Sequence, residues 1–279
     1  MKKPNLDKST VDGFGDEWQR FDQSDLDAEE AQRLFELYFE VFPWDVLPPA
    51  ATGFDLGCGS GRWAKWVAPR VDFLHCIDPS SALDIAKRNL ASMQNCECHS
   101  ASVDSIPLSD ESMDFGYSLG VLHHVPDTQA ALASCVRKLK IGAPFLVYLY
   151  YAFDNRPAWF RVLWRMSDFL RGGVSRLPHS LRYFVSQIFA CMVYYPLARG
   201  ALLLERVGLN VENLPLSAYR KLSFYTMRTD ALDRFGTRLE QRFTRAQIKQ
   251  MMGSAGLEKI KFSENLPYWC AVGYRAGSD

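Results

Sequence analysis

Gly53 to Trp63 reads G-F-D-L-G-C-G-S-G-R-W. A short apolar run ends in Asp55, glycines follow at alternate positions 57, 59 and 61, and a helical pattern begins near Arg62. That is the outline of a strand, a tight turn and a helix start. Glycine suits such a turn because the backbone visits φ > 0 and a ligand can approach with no Cβ in the way. A helix behind the turn would offer free N–H groups. The spacing separates two ligand chemistries. A dinucleotide turn needs G-x-G-x-x-G, with the pyrophosphate on the helix dipole. Here a carboxylate stands two residues before the first glycine, giving D-x-G-x-G-x-G. That acid repels a pyrophosphate and pairs with an ammonium group, so the expected ligand carries a cationic end.

Downstream, V-D-F-L-H-C-I-D reads as a second strand ending at Asp78. An acid at the end of the second strand of a doubly wound sheet is placed to accept from both hydroxyls of a ribose. It can equally cap the helix expected from Ser80 to Leu90. A third strand is expected over 96–102. M-D-F-G-Y-S-L-G reads as the fourth strand and runs into V-L-H-H-V-P-D, with His123 and His124 at its carboxyl end, where ligands of open α/β sheets gather.

With D-x-G-x-G-x-G, and with S-D-E-S-M-D-F leading through a buried strand to L-H-H-V, the sequence resembles the class I S-adenosylmethionine-dependent methyltransferases. The resemblance implies S-adenosylmethionine as cofactor and S-adenosylhomocysteine as product. It places Asp55, Gly57, Cys58, Gly59 and Gly61 around the methionine part, Asp78 and Pro79 at the ribose, and Ser102, Val103 and Asp104 near the adenine. Relatives usually carry Asp or Asn where Ser102 stands, so backbone contact around Val103 is expected there. Leu119 falls where the family's backbone meets the methionine part. The segment holding Phe14, Trp18 and Phe21 is similar to an F-G-x-x-W stretch that helps cover the cofactor, which makes Trp18 a candidate lid residue; docking on the core explains the same stripe. His123 or His124 can serve as a general base or orienting group. Capping a helix and packing beneath the cofactor explain them equally.

The charges balance, with 32 basic and 32 acidic residues in 279, and there is no basic tract, so no nucleic-acid partner is expected. Seven scattered cysteines suit reduced thiols, and the first ten residues lack the apolar run of a secretion signal, so a cytoplasmic protein is expected. Residues 1–12 are polar and expected to lack structure. Cys96, Cys98 and His99 have a hint of metal spacing, but no second pair completes a set and no metal is expected. A helix is expected over about 28–42, with Asp27 as N-cap and Glu30 completing a capping box.

The expected fold is a doubly wound, Rossmann-like α/β sheet of seven strands, the last antiparallel, with a helical cap inserted between strands five and six. Residues 1–27 form an N-terminal segment, 28–151 the cofactor-binding core, 152–242 the cap, and 243–279 a helix and hairpin that complete the core. Thr244 is the expected N-cap of that final helix.

The insertion is rich in aromatics and arginine. A cap with its apolar face buried is favoured over one lying on a membrane surface. A spanning helix over 183–198 is rejected, since 16 uncharged residues interrupted by Pro196 fall short of the ~20 a bilayer needs. Tyr219, Arg220, Tyr225, Arg228 and Asp230 are the candidate acceptor contacts. The reaction expected is methyl transfer to an O, N or C nucleophile of a small, partly apolar or lipid-like acceptor. A binding protein that holds the cofactor without turnover is the alternative, and a nicotinamide oxidoreductase a weaker one, opposed by Asp55 and the glycine spacing.

Overall fold

The computed structural model describes residues 4–277. The chain divides into two compact units, one of 1–19, 32–152 and 239–279, the other of 20–31 and 153–238.

The first unit is built on a seven-stranded sheet: β1 (Thr52–Leu56), β2 (Phe73–Ile77), β3 (Cys96–His99), β4 (Phe115–Leu119), β5 (Pro144–Tyr148), β6 (Leu257–Phe262) and β7 (Cys270–Arg275). Their spatial order is β3-β2-β1-β4-β5-β7-β6. β1 to β5 pair in parallel, and β7 runs antiparallel to both β5 and β6. The strand order reverses between β1 and β4, the switch point at which such sheets hold ligands.

The central strands β4 and β5 are buried at every position, on both faces of the sheet. Gly53 and Gly116 make room for rings: a Cβ at Gly53 would strike Phe115, and one at Gly116 would strike Phe54. Ten α-helices are present among the described residues: α1 (Lys8–Arg20), α2 (Ala28–Tyr38), α3 (Ala64–Val67), α4 (Ala82–Asn89), α5 (Thr128–Val136), α6 (Ala158–Val174), α7 (His179–Phe189), α8 (Tyr195–Arg206), α9 (Phe224–Gly236) and α10 (Arg245–Ser254).

Several local expectations are corrected. Order begins before residue 12: Asp7 Oδ1 accepts from the Thr10 backbone at 2.8 Å and starts α1 at Lys8, while residues 1–3 of the stretch expected to be unstructured lie outside the described residues. Asp27 does cap α2, accepting from the Glu29 and Glu30 backbones at 3.0 and 3.1 Å. Glu30 completes no box. Its carboxylate accepts from the Ser223 backbone at 2.8 Å and from the Thr226 hydroxyl, so it braces the start of α9, whose N-cap is Ser223. α2 ends at Tyr38 rather than near 42. Thr244 forms the capping box of α10 with Gln247.

In the second unit, α7, a π-helical turn (Ala190–Tyr194) and α8 make one helical stretch from His179 to Arg206. A proline inside a helix lacks an N–H and clashes with the carbonyl four residues back. The widened turn before Pro196 absorbs both, so the helix continues through it. Its inner face, Ala190, Tyr194 and Ala198, packs on Met227, Ala231 and Phe235 of α9.

Candidate functional site

The turn after β1 has all three glycines at positive φ: 78° at Gly57, 53° at Gly59 and 78° at Gly61. What crowds them is the protein itself. A Cβ at Gly57 would strike the Val121 side chain, one at Gly59 would touch the Trp18 indole at 3.0 Å, and one at Gly61 would press on Leu90 at 3.1 Å. The turn is tied to β2, because Gly57 and Cys58 both donate to the Ile77 carbonyl, at 2.7 and 3.2 Å. α3 behind it has only four residues, so its free N–H groups add little attraction for an anion.

Asp55 and Asp78 are both buried here, and their environments differ. Asp78 is fully employed: Oδ2 accepts from the Gly59 backbone at 2.9 Å, and Oδ1 from the Ser80 backbone and hydroxyl at 2.8 and 2.6 Å. It therefore holds the turn and caps the chain entering α4. Asp55 has no hydrogen-bond partner for either carboxylate oxygen. Tyr117, its register partner on β4, sits alongside with its own hydroxyl unpartnered, close enough to ease the charge without meeting hydrogen-bond geometry. Burial dominates and raises the Asp55 carboxyl well above the ordinary carboxylate range; Tyr117 lowers it and nearby Asp78 raises it further. Burial also raises Asp78, offset by the Ser80 and Gly59 hydrogen bonds. At Cys58 the Cys76 thiol alongside acts downward, but burial and the two acids prevail and the thiol is pushed up to about 12.

α1 lies over this end of the sheet. Trp18 faces Gly59, Gln19 Nε2 donates to the Ser81 hydroxyl at 3.1 Å, and Phe14 meets His124 edge-on with centroids 4.9 Å apart. Its approach is held by Asn5, whose side chain exchanges two hydrogen bonds of 2.7 Å with the Asp127 backbone.

His123 and His124 follow β4 in a short 3-10 turn, and both are buried. His123 packs against the His124 and Tyr150 rings, tilted at 49° and 31° with centroids 3.9 and 3.8 Å away, and neither of its ring nitrogens is hydrogen-bonded. Burial, with His124 and Arg242 adding to it, holds its pKa well below 6.5, so the ring is neutral. His124 Nδ1 is 2.7 Å from the Leu239 carbonyl. Tyr38, Trp63 and Tyr148 form an adjoining aromatic group, Tyr38 lying 4.6 Å from Trp63 and 5.1 Å from Tyr148.

Leu119 is buried at the end of β4, and Val103 is buried beyond β3. Ser102 is half-buried and Pro79 exposed, while Asp104 is exposed and accepts from the Asn5 backbone. Tyr219, Arg220, Tyr225, Arg228 and Asp230 all belong to the second unit. Within it Arg220 donates to Glu205 at 3.0 and 2.8 Å, and Arg228 to Gln187 at 2.6 Å and Tyr183 at 2.8 Å. The Tyr225 hydroxyl accepts from the Gln23 backbone at 3.0 Å, Tyr219 packs on Tyr194, and Asp230 is half-buried on α9. Sequence reasoning missed Tyr117 and Tyr150. The signal for Tyr117 was its register opposite Asp55, since paired residues of neighbouring strands share a face.

The strand order, the antiparallel β7 and the Gly-rich turn at the switch point define a Rossmann-like nucleotide-binding class. Within that class, residues 54–147 match the family described as "Methyltransferase domain". The chain is 26% identical over 155 residues to the ubiquinone biosynthesis O-methyltransferase of Hahella chejuensis, covering 54% of this chain and 63% of that protein. It is 30% identical over 106 residues to phosphoethanolamine N-methyltransferase 2 of Caenorhabditis elegans, covering 37% of this chain and 24% of that protein. The chain thus spans less than two thirds of the curated relatives it matches. In fold it is similar to a putative O-methyltransferase of Nostoc punctiforme, with a TM-score of 0.51, 15% identity, and coverage of 92% of this chain and 60% of that one.

S-adenosylmethionine is the cofactor the domain implies, and the residues present fit it. Asp55 is a buried acid with two unpartnered oxygens beside a turn with all glycines at positive φ, which suits an α-ammonium group. Asp78 has used three acceptor sites of the roughly four a carboxylate offers, leaving capacity for a sugar hydroxyl.

Proposed function

We propose that the protein transfers a methyl group from S-adenosylmethionine to a nucleophile on a small, partly apolar acceptor. The observation that carries this reading is Asp55: a buried carboxylate without a partner is costly unless a cation completes it. Asp55 would hold the ammonium group, Asp78 a ribose hydroxyl, and Trp18 with α1 would shield that end from water. When bound, the cofactor supplies an electrophilic methyl on a sulfonium. The chain's part is then alignment and exclusion of water.

His123 suits a proton-accepting role toward a hydroxyl acceptor, because the ring is neutral with its nitrogens unengaged. The aromatic faces of Tyr38, Tyr148 and Tyr150 favour an acceptor with an apolar or ring portion. Relatives named for both O- and N-methylation support the reaction class without choosing the atom.

The test is a transfer assay with methyl-labelled cofactor against phenolic, amine and lipid-extract acceptors, reading both labelled product and S-adenosylhomocysteine. Product formation that Asp55→Asn abolishes would support the reading. Tight cofactor binding with no turnover on any acceptor would instead indicate a binding protein.

A further inference from the structure

The exposed apolar surface is concentrated in one place. Among the described residues, seventeen of the nineteen exposed large hydrophobic side chains fall between Trp159 and Leu209, on α6, α7, the π turn, α8 and the turn that follows. α6 has no buried residue along its 17 positions. Phe169 is 85% exposed, Val207 73% and Met192 72%. The stretch His179–Arg206 has the length and composition to cross a bilayer, and only 22% of its most apolar window is buried. A soluble monomer rarely leaves so much contiguous apolar surface in water.

Charge identifies what covers it. Residues 158–209 hold seven arginines against two acids, a net of +5, in a chain whose total is zero. Arg161, Arg165 and Arg206 are exposed on the same helices. Two copies meeting symmetrically through this surface would bring like charges together. A bilayer with anionic headgroups complements both the apolar faces and the arginines.

The packing of the long helix favours lying along a membrane over crossing one. One face is packed on α9, Arg182 donates to the Gly236 carbonyl at 2.6 Å, and Arg199 donates to the Arg220 and Leu222 carbonyls at 2.8 and 3.0 Å. These ties hold it along the unit with its other face outward. We infer that α6, α7 and α8 form an interfacial platform that seats the protein on an anionic lipid surface.

The test is flotation of the purified full chain with phosphatidylcholine vesicles, with and without roughly a third phosphatidylglycerol. The comparison is Phe169→Glu/Met192→Glu/Val207→Glu, three exposed positions outside the buried clusters. The wild type is expected to float with anionic vesicles, and the triple variant to lose about tenfold or more in partitioning while keeping its circular dichroism. Failure of the wild type to float, as a monomer or as an oligomer by light scattering, overturns the inference. The readout is lipid binding, so it stands apart from the methyl-transfer reading.

A second inference rests on a different observation. On β2 and β3, His75 pairs in register with Glu97, and His99 lies two residues on, so all three side chains share a face. His75 Nδ1 and His99 Nε2 are 3.0 Å apart, and each lies near Glu97 Oε2, at 3.7 and 3.6 Å. Three donors with such spacings surround a point ~2.0–2.1 Å from each, the bond length of zinc to imidazole and carboxylate. The geometry points to a zinc-class divalent cation site that clamps β3, the edge strand, to β2. Sequence spacing had suggested only Cys96, Cys98 and His99, because His75 joins through strand register.

Chelator-treated protein dialysed against zinc chloride is expected to take up about one equivalent and to melt higher. His75→Ala and His99→Ala should each lose both effects, and Cys96→Ser/Cys98→Ser should keep them. No uptake by the wild type, or uptake lost only in the cysteine variant, overturns the assignment.

Discussion

Asp78 Oδ2 accepts the backbone N–H of Gly59 at 2.9 Å, so the acid closing β2 holds the turn that follows β1. Asp55, four residues before Gly59, is buried with neither oxygen hydrogen-bonded and the Tyr117 hydroxyl alongside. Two acids at one site therefore have opposite structural accounts. Asp78→Ala removes the partner of three donors and is expected to lower stability by about 1–3 kcal/mol, along with cofactor affinity. Thermal melting and titration of the same preparation check it.

Asp55→Asn keeps the volume and removes a buried carboxyl whose charged form burial disfavours. Ligand-free stability should rise, by about 2–4 °C in melting temperature for each kcal/mol gained, while cofactor affinity falls. A lowered melting temperature would mean Asp55 is already satisfied within the fold.

His123 should leave a signature in acid. Its folded pKa is depressed well below 6.5, so as pH falls through that value the unfolded chain takes up a proton that the native state refuses. Stability is then full above about pH 6.5 and lost below it, by at most ~1.4 kcal/mol per pH unit. His75, also depressed by burial, acts in the same sense, and the raised Asp55 and Asp78 act in the opposite one. The difference between wild type and His123→Gln isolates the contribution. Denaturant melts from pH 5 to 7.5 should show a shallower acid loss in the variant, and equal slopes would contradict a neutral buried ring.

Glu30→Ala should weaken the start of α9, costing about 1–2 kcal/mol, because the Ser223 backbone and the Thr226 hydroxyl lose their acceptor. Cofactor binding should not change. A loss of binding would tie this cap to the cofactor site.

The parts legible in the sequence were those whose chemistry is local. Asp55, Gly57, Gly59 and Gly61 declare a turn by spacing alone, and Thr244 with Gln247 declares a helix start. Glu30 was misread because its proper local partner lay three residues away, while Ser223 and Thr226 lie nearly two hundred residues on and outbid it. Tyr117 and His75 gained their neighbours through strand register, which a linear reading does not carry. Pro196 looked like a break because nothing local announces the π turn that accommodates it. The insertion's outward apolar face was invisible for a related reason: an amphipathic pattern shows that one side is apolar, and only packing shows that the side is left open.

Calorimetric titration of the purified protein with S-adenosylhomocysteine, beside Asp55→Asn, decides whether Asp55 holds the cofactor. The account predicts one saturable site in the wild type and a loss of at least about tenfold in the variant, the variant melting no lower than wild type. Absence of binding by folded wild type, or undiminished binding by Asp55→Asn, would contradict it.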